Sequence, residues 1–144
     1  MSQSSSEQVV RNRVTGLGGI FFKAREPKKL MAWYQEHLGV KPEGEAEPSA
    51  MFHWREADDP EQLAYTVWAI FPRETKYFDP SSSQFMINYR VDDLDGLLRQ
   101  LKAEGVKVDD KVEEYEYGKF GWIIDPEGNR IELWEPKTPQ SMKK

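Results

Sequence analysis

Glu132 is the residue of this sequence most readily given chemical work. It lies in "IIDPEGNRIELWEP", residues 123–136, where a turn on Asp125-Pro126-Glu127-Gly128-Asn129 separates two strands. On the returning strand Ile131 and Leu133 point one way, while Arg130, Glu132 and Trp134 point the other. With the apolar pair on a core, a carboxylate and an indole share the opposite face of a sheet. Three uses for that carboxylate stay open. In a dry aromatic trough its pKa would rise and it could act as a general base. Ionised, it could pair with a cationic ligand. On an exposed face it would simply be satisfied by water or by a nearby Arg or Lys.

The two histidines are weighed the same way. His37 falls late in a helix, where a half-packed ring meets a favourable dipole. His53, in "AMFHWRE", shares a strand face with Met51 and Arg55; on a concave face it could approach Glu132 as a metal ligand or acid–base partner, and otherwise it is a structural histidine. By alternation Phe21, Trp68 and Trp134 fall on one side of a sheet, extended by Phe120 and Trp122 if these share it. Such a stripe grips flat or cationic ligands by stacking and cation–π contact, or else packs an interface. In "VEEYEYGKFGW" Tyr117 and Lys119 are candidate ligand contacts, or part of a plain amphipathic edge strand. No G-x-G-x-x-G, P-loop, H-E-x-x-H or G-x-S-x-G is present.

Composition narrows the choices. The chain has 144 residues, 38% hydrophobic and 31% charged, which suits one domain built from two small units. A net charge of −5 disfavours nucleic acid as a partner. Absence of cysteine removes disulfides, thiolate catalysis and cysteine zinc sites. No apolar run approaches a membrane span, and "MSQSSSEQVVRNR" lacks the apolar middle of a secretory signal, so a cytoplasmic location is expected.

The elements that must position these residues repeat. "VTGLGGIFFKA" reads as a strand with Ile20, Phe22 and Ala24 on one face and Gly19, Phe21 and Lys23 on the other. "EPKKLMAWYQEHLG" reads as a helix with Pro27 in its first turn and Gly39 as its stop. Strands are expected around 41–45, 50–56 and 63–71. "RETKYFDPSSS" reads as a linker. The pattern then restarts with the strand "QFMINYRV", the helix "DDLDGLLRQLKAEG", and strands near 106–108, 111–116, 119–124 and 129–135. Shifted by 67 residues, Leu30, Met31 and Tyr34 fall on Leu97, Leu98 and Leu101. Both halves thus read βαβββ, an α+β fold of two modules whose curved mixed sheets form a concave cleft. The expected divisions are an arm (1–12), a first module (13–74), a linker (75–84), a second module (85–136) and a tail (137–144).

These paired halves resemble the vicinal oxygen chelate (VOC) superfamily, which includes glyoxalase I, extradiol dioxygenases and bleomycin-resistance proteins. The resemblance is carried by "WYQEHLGV", by "YRVDDLDGLLRQLKAEGVKV" and by "DPEGNRIELWEP", and spans roughly residues 14–136. It implies a homodimer, a small-molecule ligand or substrate, and a site on the concave sheets with up to four side-chain ligands for a divalent ion. Those positions fall here on Gly19, on Thr66 or within a residue of it, on Met86 and on Glu132. Glycine has no donor, a threonine hydroxyl is a poor one, and a thioether is soft and uncharged, whereas such an ion needs about four to six donors. The expectation is therefore a metal-independent small-molecule binder without a cofactor, holding an aromatic or cationic ligand in an acidic, aromatic-lined cleft. Phe21, His53, Trp68, Met86, Tyr117, Trp122, Glu132 and Trp134 are its candidate contacts. The alternative is a metal-dependent lyase, isomerase or dioxygenase with Glu132 as base, or with Glu132 and His53 in a relocated metal site. Whether the chain is an enzyme stays open.

Overall fold

In the computed structural model residues 13–44 and 48–137 are described. The expected arm (1–12), residues 138–144 of the expected tail and residues 45–47 lie outside them. β1 (Val14–Ala24), α1 (Pro27–Leu38), β2 (Ser49–Arg55) and β3 (Leu63–Pro72) precede the linker. β4 (Phe85–Val91), α2 (Leu94–Ala103), β5 (Lys107–Tyr115), β6 (Gly118–Ile124) and β7 (Arg130–Pro136) follow it. The architecture is α+β, with all seven strands in one sheet of order β2-β3-β1-β4-β7-β6-β5.

The two modules are joined edge to edge by antiparallel pairing of β1 with β4. β1 then pairs parallel with β3, and β4 parallel with β7. Two expectations differ in detail. Residues 41–44, part of the expected 41–45 strand, are not strand; Pro42 has no N–H to give a ladder and Gly44 favours a bend. The separate strands near 106–108 and 111–116 are one strand, β5, whose pairing with β6 is irregular between Val108 and Val112.

Both helices cover the same face of the sheet. α2 is capped at its start by Asp93, whose carboxylate accepts from the Gly96 N–H, and by Glu135, which accepts from the Leu94 N–H at 2.9 Å. It buries Leu94, Leu97 and Leu98 against Val91 and Leu133, each side chain stabilising by roughly 1.5–3 kcal/mol. α1 starts on Pro27 and stops where Gly39 turns left-handed (φ 72°), its N–H returning to the Gln35 carbonyl. It covers its strands more thinly. Met31 is its buried residue, Tyr34 meets Phe22 and Trp68 edge-on, and Trp33 stays half exposed.

The other face carries the candidate site. Its centre is a row across four strands, set by register: Val67 beside Gly19, Gly19 opposite Asn88, Asn88 beside Glu132. The floor is glycine for a steric reason. A Cβ on Gly18 would lie 2.1 Å from the Asn88 amide oxygen and 2.9 Å from the Trp134 ring, so those side chains occupy the volume above β1.

Candidate functional site

The site is assembled from the turn that precedes β7. Asp125 accepts from the backbone N–H groups of Asn129 (2.9 Å) and Glu127 (2.8 Å) and from the Asn129 amide (3.0 Å). These bonds, the Asn129 backbone foremost, hold its carboxyl below the usual aspartate range. Gly128 supplies the left-handed residue, φ 88°. The turn fixes the β6–β7 register and so places Trp122 directly opposite Glu132.

Glu132 is buried, 2% exposed. Its carboxylate accepts three hydrogen bonds: from the Asn88 amide at 2.6 Å, from the Trp122 indole N–H at 3.0 Å, and from the Tyr77 hydroxyl. Burial pushes its pKa up, against the downward pull of these donors and of Arg130. Burial and the adjoining carboxylate likewise push the Tyr77 phenol far up. Arg130 donates to the Tyr77 carbonyl and lies over the rings of Trp122 (4.9 Å) and Tyr77 (5.5 Å).

Tyr77 comes from the segment read as a linker. That segment folds back over the face opposite the helices. Phe78, fully buried, fills the space above Phe21 and Met86, and Tyr77 stacks on Phe71 with rings 2° from parallel. The centre of the expected cleft is thus occupied by the chain itself.

The residues of the central row do not fit a divalent ion. Gly19 and Val67 offer no donor, Asn88 offers an amide, and Glu132 already accepts from three protein groups. Among the described residues no group of three or more His, Cys, Asp or Glu could hold a metal ion. One position differs from the expected set. The residue beside Glu132 is Asn88, not Met86, which lies opposite Phe21; the residue beside Gly19 is Val67, one residue from Thr66 and so within the expected range. Gly19 lies eight positions before the start of α1 and Asn88 six before the start of α2, so an offset anchored on the helices does not carry over to the first strands.

The other candidates divide between places. Trp122 and Glu132 touch; Phe21 and Met86 are buried beneath Phe78. Trp68 is on the helix side, packed on Phe22 and Tyr34, because it pairs with Ile20 rather than with Phe21. His53 lies exposed on edge strand β2 with its ring 6.0 Å from Tyr65, four strands across from β7, so it does not meet Glu132. Trp134 stacks on Phe120, 4° from parallel, and Tyr117 meets Phe120 edge-on.

Beside this aromatic row is a cavity of about 660 Å³, bounded among others by Glu56, Tyr65, Arg90, Asp92, Glu116 and Tyr117. Tyr65, on its wall, meets the Trp134 ring, centroids 5.5 Å apart. Arg90 is held between the Trp54 and Trp134 rings at 5.4 and 5.1 Å. Burial pushes its pKa down, and Glu56 draws it back. Sequence reading missed Tyr77, Asn88, Arg90 and Tyr65; of these, Tyr77 alone left a signal, as half of an aromatic pair in a polar stretch.

A model of the Glyoxalase/Bleomycin resistance protein/Dioxygenase superfamily matches residues 17–133. The chain belongs to this superfamily. No functionally curated protein matches it. Among solved structures, this superfamily member is similar to a Streptomyces coelicolor methylmalonyl-CoA epimerase variant in complex with 2-nitronate-propionyl-CoA, at 16% identity and TM-score 0.62, covering 88% of this chain and 100% of that one. It is also similar to methylmalonyl-CoA epimerase from Mycobacterium tuberculosis (20% identity, TM-score 0.55, 94% and 97% covered). A glyoxalase/bleomycin resistance protein/dioxygenase superfamily member from Vibrio splendidus 12B01 matches at 14% identity and TM-score 0.52, over 86% and 98%. At these identities the likeness is one of fold. Among the described residues no helix is long and apolar enough to cross a membrane.

Proposed function

We propose that this superfamily member is a metal-independent small-molecule binding protein that takes an aromatic or cationic ligand into the cavity beside Arg90. The observation that carries this is the state of Glu132: its carboxylate is satisfied by Tyr77, Asn88 and Trp122, and Phe78 covers the neighbouring face. A ligand has no room at the centre of the sheet while that segment stays in place. The cavity next to it has the size of an ordinary ligand pocket. Tyr65 and Tyr117 give it aromatic walls, and Glu56, Asp92 and Glu116 give it an acidic rim.

The test is thermal denaturation of chelator-treated protein with a panel of planar aromatic amines. A binder stabilises the fold by RT ln(1 + [L]/Kd) and so raises the midpoint. Stabilisation without added metal is the expected result. Stabilisation that appears only after Mn, Ni, Zn or Fe is restored would favour the metal-dependent lyase, isomerase or dioxygenase instead.

A further inference from the structure

Arg90 is the least satisfied buried charge next to this cavity. Its guanidinium has five N–H donors, and the residue is only 7% exposed. One hydrogen bond, to the Tyr65 carbonyl at 3.4 Å, and one long ion pair, to Glu56 at 3.8 Å, engage it; Nε is buried with no partner. Two indoles, of Trp54 and Trp134, lie against it and help hold it in place. What remains is a guanidinium at the cavity wall whose two terminal nitrogens carry only long contacts. A buried cation in that state is costly unless a partner arrives, and the geometry suits a carboxylate.

The rest of the wall rules out a simple anion. Five of the lining side chains are carboxylates and two are cations, so an anionic ligand would be repelled from the rim it must pass. Asp92 and Glu116 are exposed there and make no ion pair among the described residues. A plain cation would answer those acids and leave Arg90 unsatisfied. From this juxtaposition we infer that the cavity takes a zwitterion of amino-acid type. Its carboxylate is received by Arg90 and its ammonium by the Asp92 and Glu116 rim, with its side chain against Tyr65 and Tyr117. This rests on the small-molecule binding proposed above and names the ligand's class.

Calorimetric titration with three compounds of one shape separates the possibilities: L-tryptophan, tryptamine, which lacks the carboxylate, and indole-3-propionate, which lacks the ammonium. The twenty proteinogenic amino acids are screened alongside. At least one amino acid is expected to bind about tenfold or more tighter than its matched amine or acid, since each lost charge-assisted contact weakens binding. Arg90→Lys, which keeps the charge and loses the fork, is expected to remove most of that margin. Should it fail to fold, the exposed Asp92→Asn, Glu116→Gln double variant is expected to weaken the amino acid and not the matched acid.

An amine that binds as tightly as its amino acid, with no loss in either variant, overturns zwitterion recognition and leaves small-molecule binding standing. Silence from every amino acid also overturns it. Silence from the amino acids and from the aromatic amines removes both.

Discussion

The Tyr77 hydroxyl donates a hydrogen bond to the Glu132 carboxylate across 55 residues of sequence, carrying the inter-module segment onto the floor of the sheet. In this chain a side chain of the inter-module segment meets that buried acid. Tyr77→Phe keeps the ring on Phe71 and removes only that donor. The variant is expected to be less stable by about 1–2 kcal/mol, the net worth of a hydrogen bond to a charged group that two other donors still serve. Urea denaturation at neutral pH measures it.

Phe78 anchors the same segment. It is 0% exposed and packs on Phe21, Phe71 and Met86. Phe78→Ala is expected to cost about 3–5 kcal/mol, transfer and cavity together. It should also admit water toward Trp122, read as a red shift of tryptophan emission at denaturant concentrations where the fold persists.

Glu132 sets a pH dependence whose sign follows from burial. Its folded pKa is raised above the ordinary glutamate value of 4.5, so the folded state binds the proton more tightly than the unfolded one. The stability it contributes is full below that value and is lost as pH rises through the folded pKa. Glu132→Gln cannot titrate. Denaturation midpoints of the variant, measured upward from about pH 4.5, are expected to fall less steeply with pH than those of the parent.

Much of the fold was legible because its signals are local. Leu94, Leu97, Leu98 and Leu101 mark α2 by spacing, Gly39 marks the end of α1, and the Asp125–Asn129 turn announces the hairpin that brings Glu132 to Trp122. The failures were matters of register, which no single strand encodes. Trp68 pairs with Ile20 and so faces α1; a one-residue slip would have turned it to the other side. Asn88 enters the central row because the stretch from first strand to helix is two residues shorter in the second module than in the first, which a constant repeat offset cannot anticipate. At 75–84 composition described only part of the segment's role. The serines and Asp-Pro describe a connector, whereas Tyr77 and Phe78 within it close the face. Arg90 was invisible for a different reason, since its clamp is built by Trp54 and Trp134 from separate modules.

Metal content tests the central claim most directly. Protein purified without chelators is exposed to equimolar Mn, Fe, Ni and Zn, desalted, and analysed by mass spectrometry of the bound ions, alongside Glu132→Ala. The expected result is bound metal far below one ion per chain in both, because Tyr77, Asn88 and Trp122 already satisfy Glu132 and the central row offers too few further donors. One ion per chain in the parent, lost in Glu132→Ala, would contradict it.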